Sequence, residues 1–427
     1  MGLAVSTVLL LLAFWGVPLF VVIGMATLYS LHFIANVDTS AMMGEIYRLT
    51  STPAFVAIPL FIYAGYVMAE SKCADRIIRL SKALIGWMPG GLAIVCIIAC
   101  AVMTALTGAS GITIIALGGI LLPALMKEKY PEMFSLGLIT SSGSLGLLFP
   151  PSLPLILYGV VSNTNVEELF IAGIVPGIVR VLMVVLYSFW KGMKLKVKKV
   201  PFSRKEAWAA IKEASWEIPL PIVIFVGIYG GFFTAAEAAA VAAFYVTIVE
   251  VFIYKDIPLK KLPKVMLESI VVKGGVIIIL GVAMGLTNYL IDQQVPLQTL
   301  DILQTTISNK YVFLLLLNVF LIVVGFLMDI FSAIVVVVPL IVPIATNFGI
   351  DPVHLGIIFV TNLEIGYIHP PVGINIILAS YRFKKPVMRV FLSTLPYLVL
   401  MLITLLIITY VPEIMIRIHT PQIVLSY

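Results

Sequence analysis

The sequence is poor in charged residues and in cysteine. Only 11% of its 427 residues are charged, 61% are apolar, and three cysteines cannot form an even set of disulfides. Soluble domains carry about 25% charged residues, so this composition excludes an ordinary soluble enzyme or binding domain. Mean hydropathy is +1.13, and the apolar runs are long enough to cross a bilayer as helices. The sequence therefore predicts an all-α polytopic membrane protein embedded in the lipid bilayer.

Motifs for several chemistries are also missing. The chain has no Walker A sequence, which argues against direct use of ATP, and no zinc-ligand spacing or nucleophile elbow. We therefore expect no enzyme activity, no cofactor and no transition metal. The net charge of +6 lies mainly in short loops, where Lys and Arg set membrane orientation, so it does not indicate nucleic-acid binding.

Two long apolar segments each contain a pair of adjacent prolines, Pro150-Pro151 and Pro370-Pro371. Adjacent prolines remove backbone donors and push the preceding residue out of the helical region. Such backbone is tolerated at membrane depth only where it lines a cavity or is buried in protein. The segments at 133–161 and 353–381 are therefore predicted to be broken helices.

Two other apolar segments are predicted to be re-entrant hairpins, which return to the side from which they enter. The first, at 91–125, is interrupted by Thr107-Gly108-Ala109-Ser110-Gly111, and the second, at 311–344, is broken near Met328-Asp329. One constant offset in residue number superimposes the two halves without a gap, because it takes Pro123 to Pro343 and Pro176 to Pro396. Proline and glycine fix backbone shape, so this agreement indicates a structural repeat, and we call the offset the repeat offset.

The predicted organisation is an inverted repeat, because each half crosses the membrane an odd number of times. All Lys- and Arg-rich loops then fall on one side, which is cytoplasmic by the positive-inside rule. Whether residues 1–35 hold one long helix or two short spans stays open. The predicted parts are a first repeat at 1–190, a basic cytoplasmic connector at 191–214, a second repeat at 215–411 and a tail at 412–427.

The breaks are the predicted binding sites. At each break one helix ends in free carbonyl groups, which suit a hard cation such as Na⁺, and the next begins with free N–H groups, which suit a carboxylate. We predict two Na⁺ sites, one per half. The predicted ligands are Gly146, Phe149 and Pro151 in the first half, Gly366, His369 and Pro371 in the second, and Thr107, Ser110, Asp329 and Ser332 at the hairpin tips.

A small organic anion is predicted to bind between the hairpin tips and the broken helices. Short hydroxyl and amide side chains beside helix N-termini can hold a carboxylate there. Asp329 is expected to be the most sensitive carboxylate, with a structural partner or helix cap as the alternative. Arg180 is expected to reach or pair at a helix end. The predicted anion-binding residues are Ser141, Ser142, Ser144 and Asn362.

Short sequence motifs span nearly the whole chain. They are Pro59-Leu60-Phe61 with Gly65, Gly90-Gly91-Leu92, Gly108-Ala109-Ser110-Gly111, Gly146 with Pro150-Pro151-Ser152, Tyr158-Gly159, Ala172-Gly173-Ile174-Val175-Pro176-Gly177, Phe233-Thr234 with Glu237, and Pro370-Pro371. With these motifs the chain resembles the large membrane subunit of a tripartite ATP-independent periplasmic (TRAP) transporter of the C4-dicarboxylate and sialic acid type. One motif departs from the usual family pattern, since Ala235-Ala236 stands where the family more often has proline.

The resemblance implies a secondary transporter of the bacterial or archaeal cytoplasmic (inner) membrane. It also implies an elevator mechanism, a Na⁺ gradient as driving force, a small four-helix membrane subunit and a soluble periplasmic substrate-binding protein. One alternative is a stand-alone ion-coupled organic anion symporter or exchanger. A channel is the other alternative, although a channel does not need two inverted copies of a broken helix.

Overall fold

The computed structural model describes residues 17–50, 53–195, 201–295, 309–370 and 373–415, together with single positions at 8, 11, 12, 15, 298 and 307. Within these ranges the chain is helical apart from turns and short loops. The question of one or two spans in 1–35 falls partly outside the described residues. Part of the connector, 196–200, and most of the tail, 416–427, also lie outside them.

Helices follow one another with short connections throughout the described chain. The helices before the connector are α1 (Leu19–Tyr29, extended by a π-helical turn at Ser30–Ile34), α2 (Ser40–Thr50), α3 (Pro53–Glu70), α4 (Cys73–Ile85), α5 (Gly91–Thr107), α6 (Ser110–Lys127), α7 (Glu132–Ser142), α8 (Leu153–Ser162) and α9 (Val166–Leu195). The later helices are α10 (Arg204–Glu213), α11 (Pro219–Tyr229), α12 (Ala235–Thr247, extended by a π-helical turn at Ile248–Ile253), α13 (Leu262–Asp292), α14 (Lys310–Leu327), α15 (Ile330–Asn347), α16 (Pro352–Gly366), α17 (Ile374–Phe383) and α18 (Val387–Tyr410).

The predicted pair of hairpins and pair of broken helices is confirmed. The hairpins are α5–α6 and α14–α15, and the broken helices are α7–α8 and α16–α17. The repeat offset, which relates the sequence halves, also relates these elements. It takes the ends of α6, Ser110 and Lys127, to the ends of α15, Ile330 and Asn347. The repeat boundaries at 1–190 and 215–411 stay a prediction.

Each hairpin contacts both broken helices. Within its own half, α5 packs against α7, and α14 packs against α16. The second hairpin helices cross over, because α6 packs against α17 and α15 packs against α8. This reciprocal exchange is what two repeats related by a two-fold axis produce, and it brings both hairpin tips and both breaks together.

The polytopic membrane fold is supported by helix length and composition. Six helices in the described chain are long and apolar enough to span a bilayer. Many of their large apolar side chains are exposed, including Leu186, Phe244 and Val319. In a membrane, exposed side chains of this kind face lipid rather than water. The six candidate spans are α6, α9, α12 with its π-helical turn, α14, α15 and α18.

A buried cluster around Arg76 joins α4 to the second half of the chain. Its guanidinium donates to Glu250 Oε2 at 2.8 Å and to Asp256 Oδ2 at 2.7 Å, and it also pairs with Glu217. The guanidinium carbon lies 3.8 Å from the centre of the Tyr254 ring. Since one cation serves three carboxylates, two of them buried, the cluster depends on Arg76.

Replacing Arg76 with Met should destabilise the fold strongly. Three carboxylates would lose their shared cation, and breaking a buried pair by removing one partner costs about 3–5 kcal/mol. Arg79 provides a matched control, because it lies one turn later on α4 and pairs with Glu206 and Glu213 at the exposed surface. Thermal unfolding of the purified protein should show a large loss for Arg76→Met and little change for Arg79→Met. Equal effects would contradict this assignment.

Candidate functional site

The tip of the first hairpin is formed by a left-handed glycine and an extended residue. Gly108 has a φ of +63° and ends α5, and Ala109 is extended before α6 begins at Ser110. A Cβ atom at Gly108 would lie 2.5 Å from Leu153 Cγ, so this position requires glycine for conformation and for space. The Thr107 hydroxyl lies 3.5 Å from the Ala109 carbonyl oxygen, at the same tip.

Ser110 connects the first hairpin to the opposite half of the chain. Its hydroxyl donates to Asn375 Oδ1 at 2.8 Å, and both side chains are buried. Asn375 lies at the start of α17, and its backbone N–H donates to the Tyr367 carbonyl oxygen at 3.2 Å. Ser110 therefore faces the second break. Sequence reasoning missed Asn375, because its importance comes from a contact across 265 residues.

The first break is a chain of tight turns packed against α5. The Phe149 N–H donates to the Gly146 carbonyl oxygen at 3.0 Å. A Cβ atom at Gly146 would lie 2.5 Å from the backbone nitrogen of Ala105. The Thr104 hydroxyl lies 2.7 Å from the Gly143 carbonyl oxygen and holds the break to the hairpin.

The second break contains an equivalent turn, although α16 runs up to Gly366 whereas α7 ends at Ser142. The His369 N–H donates to the Gly366 carbonyl oxygen at 3.0 Å, as Phe149 does to Gly146. A Cβ atom at Gly366 would lie 2.6 Å from Gly325 Cα, and Gly325 corresponds to Ala105 under the repeat offset. The His369 ring stacks on Phe326 with ring centres 5.4 Å apart. The predicted ligand Pro371 lies outside the described residues.

Backbone carbonyl oxygens with spare acceptor capacity are present at both breaks. The carbonyls of Gly146, Gly366 and His369 each accept one backbone hydrogen bond, so each keeps a second lone pair. Oxygen ligands with spare lone pairs fit a hard cation. The carbonyls are thus less free than the sequence suggested, and the assignment of these residues as Na⁺ ligands stays a prediction.

Asp329 caps a helix at the tip of the second hairpin. Its Oδ1 atom accepts hydrogen bonds from the N–H groups of Phe331, at 2.9 Å, and Ser332, at 3.1 Å. The Ser332 hydroxyl binds the other carboxylate oxygen. The neighbouring Ile330 N–H donates to the Tyr367 hydroxyl at 2.7 Å, which ties the tip to the second break. Asp329 is therefore a helix cap, which was the alternative to a role in ion binding, and its side chain is half-buried.

The predicted anion-binding side chains are fully buried beside the breaks. Asn362 Nδ2 donates to Asn318 Oδ1 at 2.8 Å, and Asn318 in turn donates to Thr409 at 3.1 Å. The Ser144 hydroxyl, just past the end of α7, lies 3.4 Å from the carbonyl oxygen of Ser141 in that helix. Several buried oxygens have no hydrogen-bond partner within the described ranges: Ser141 Oγ, Ser142 Oγ and Asn362 Oδ1.

Arg180 was expected near a helix end, and the structure corrects this. It lies in the middle of α9, fully buried, and its Nη1 atom pairs with Glu364 Oε2 in α16. Both residues could have been singled out from the sequence, since opposite charges deep in two apolar runs must find partners. What the sequence could not supply is which charge pairs with which.

The sequence matches a protein-family model over the region that holds these elements. The model described as "Tripartite ATP-independent periplasmic transporter, DctM component" matches residues 6–414, which include both hairpins and both broken helices. The chain belongs to this family. The predicted resemblance to TRAP large subunits is thereby confirmed. As a TRAP large permease, the chain is a secondary transporter of organic acids in the cytoplasmic membrane and not an enzyme.

Individual relatives agree with the family match over nearly the whole chain. The C4-dicarboxylate TRAP transporter large permease protein DctM of Rhodobacter capsulatus is 32% identical, covering 97% of both chains. The isethionate TRAP transporter permease protein DctMQ of Oleidesulfovibrio alaskensis is 33% identical, covering 93% of this chain and 63% of its own length.

A solved structure supports the fold independently. The crystal structure of the Alcanivorax borkumensis YdaH transporter, which is described as having an unusual topology, resembles this chain with a TM-score of 0.62. The similarity covers 87% of each chain at 12% sequence identity. At that identity the similarity applies to the fold alone.

Proposed function

We propose that this TRAP large permease imports an organic acid anion using a Na⁺ gradient. The observation that carries the proposal is the matched pair of breaks, in which Gly146 and Gly366 present carbonyls in the same turn geometry. Two equivalent oxygen-lined breaks are suited to binding two cations close to one anion. Coupling follows if the anion binds well only when the cations have neutralised the site.

The anion would lie between the hairpin tips and the breaks, beside Ser142, Ser144 and Asn362. The unpartnered oxygens of Ser142 and Asn362 support this placement, because buried polar atoms ordinarily find partners. The R. capsulatus relative is named for C4-dicarboxylates and the O. alaskensis relative for isethionate. Both names describe small acids, so we propose a small carboxylate or sulfonate as substrate.

Two partners complete the proposed system. The relative named DctMQ carries this chain's counterpart within a longer protein, which supports a small membrane subunit that sits beside the large one. The word "tripartite" in the family description supports a third component, which we propose is a soluble periplasmic substrate-binding protein. Movement of the hairpins and broken helices as one body against the remaining helices would give an elevator mechanism.

The tripartite proposal is tested by reconstitution. Proteoliposomes should accumulate labelled organic acid only when the large subunit is combined with the small subunit and the loaded binding protein. Uptake by the large subunit alone would favour a stand-alone symporter or exchanger. Single-channel currents across a planar bilayer would favour a channel.

Substituting both Ser144 and Asn362 with Ala should weaken substrate binding. Each substitution removes a polar group beside the proposed anion site, and one buried hydrogen bond contributes about 1 kcal/mol. Because two such groups are removed, the apparent affinity for the substrate should fall about tenfold or more. Asn318→Ala is the control. It removes the Asn362–Asn318 contact, but Asn318 lies on α14, so Ser144 and Asn362 themselves stay in place. The readout is the substrate concentration for half-maximal uptake. An unchanged value in the double variant would move the anion site elsewhere.

A further inference from the structure

The buried ion pair between Arg180 and Glu364 has no role in the function proposed so far. Both side chains are 0% exposed, and the pair joins α9 to the last turn of α16. Glu364 lies just before Gly366 in the same turn, and the Gly366 carbonyl is a proposed cation ligand. The pair is therefore placed directly beside the second break.

The pair is poorly arranged for stability alone. Arg180 Nε and Nη2 and Glu364 Oε1 are buried and have no hydrogen-bond partner within the described part of the chain. A buried ion pair overcomes its desolvation cost only when its remaining donors and acceptors are also satisfied. Its presence in an apolar interior therefore calls for a role other than stabilising the fold.

The last turn of α16 is held from two sides. On one side α14 lies close, since a Cβ atom at Gly325 would be 2.9 Å from Leu363 Cα and one at Gly366 would be 2.6 Å from Gly325 Cα. On the other side Glu364 reaches α9 and pairs with Arg180. Contacts in two directions fix both the position and the rotation of the turn that leads into the break.

The first half has no equivalent of this pair. Under the repeat offset, Glu364 corresponds to Ser144 and Arg180 corresponds to Leu400. Within the described chain, the Ser144 hydroxyl hydrogen-bonds to the Ser141 carbonyl oxygen at the end of α7. The two breaks therefore share the turn at Gly146 and Gly366 but differ in what supports that turn.

We propose that Arg180 and Glu364 are positioning residues for the second cation site. By fixing the last turn of α16, the pair aims the carbonyls of Gly366 and His369 at the coupling ion. This inference rests on the proposed Na⁺ coupling. Groups that orient ion ligands without touching the ion typically change ion affinity about 10- to 100-fold when removed, about the size of effect expected here.

The test removes both charges together, because a single substitution would leave the other charge buried and unpaired. The double variant Arg180→Met with Glu364→Gln is reconstituted with the cognate partners, and uptake is titrated with Na⁺. The half-saturating Na⁺ concentration should rise about tenfold or more, while uptake at saturating Na⁺ stays close to the parent. Lys261→Met with Glu70→Gln is the control, since it removes a surface ion pair and should leave the titration unchanged.

Each outcome supports or overturns the positioning role of Arg180 and Glu364. A double variant that folds and titrates like the parent overturns the positioning role while leaving Na⁺ coupling intact. A parent that is indifferent to Na⁺ overturns the proposed function itself, and this inference with it. If the variant with Arg180→Met does not reach the membrane, the more polar double variant Arg180→Gln with Glu364→Gln replaces it. Its half-saturating Na⁺ concentration is measured in the same way, and the same result overturns the positioning role.

Discussion

Gly146→Ala and Gly366→Ala should each reduce uptake about 100-fold. The added methyl group would meet backbone atoms, at 2.5 Å from Ala105 N in the first half and 2.6 Å from Gly325 Cα in the second. The hairpin helix must therefore move away from the break, and a shift of about 1 Å at a positioned site can cost about 100-fold in rate. Both variants should behave alike, since they occupy equivalent positions in the repeat.

Gly274→Ala is the matched control. It places the same substitution in the long helix α13, where a Cβ atom would meet nothing within 4 Å among the described residues. Initial uptake rates are measured after the amount of inserted protein has been equalised. Parent-like uptake by Gly146→Ala or Gly366→Ala would show that close packing of hairpin against break is not required.

Asp329→Asn should raise the Na⁺ requirement about tenfold or more without unfolding the protein. Asparagine is as good a helix cap as aspartate, so the bonds to the Phe331 and Ser332 N–H groups can persist. What the variant removes is the negative charge, whose attraction for a cation about 4 Å away is about 4 kcal/mol near a protein surface. Half of that attraction is already more than a tenfold change in affinity.

Two comparisons separate the charge of Asp329 from its cap. Asp329→Ala loses both, so it should show the raised Na⁺ requirement and also a stability loss of about 1 kcal/mol. If the carboxylate carries a proton instead, Asp329→Asn should lose pH dependence while its Na⁺ titration stays the same. An Asn variant that matches the parent in both titrations would leave Asp329 as a cap only.

The backbone of the site was largely predictable from the sequence. Proline and glycine fix chain geometry locally, so Pro150-Pro151 and Pro370-Pro371 marked the breaks. Gly108 likewise marked the first hairpin tip. The repeat offset then related the halves, and the helix ends confirm that relation.

The side-chain partners of the site were not predictable in the same way. Ser110 binds Asn375 and Arg180 binds Glu364, and each pair joins residues from different halves. Such contacts depend on how helices of the two halves pack against each other, which leaves no local pattern in the chain. A charged residue in an apolar run indicates that a partner is needed, but only the packing of α9 on α16 identifies that partner.

The most direct test of Na⁺-coupled import is uptake driven by an imposed gradient. Proteoliposomes containing both membrane subunits, supplied with the loaded binding protein, are placed in an inward Na⁺ gradient or in equal Na⁺ on both sides. The proposal predicts accumulation of the organic acid above its external concentration only with the gradient, and collapse of that accumulation when a Na⁺ ionophore is added. Equal accumulation with and without the Na⁺ gradient would contradict it.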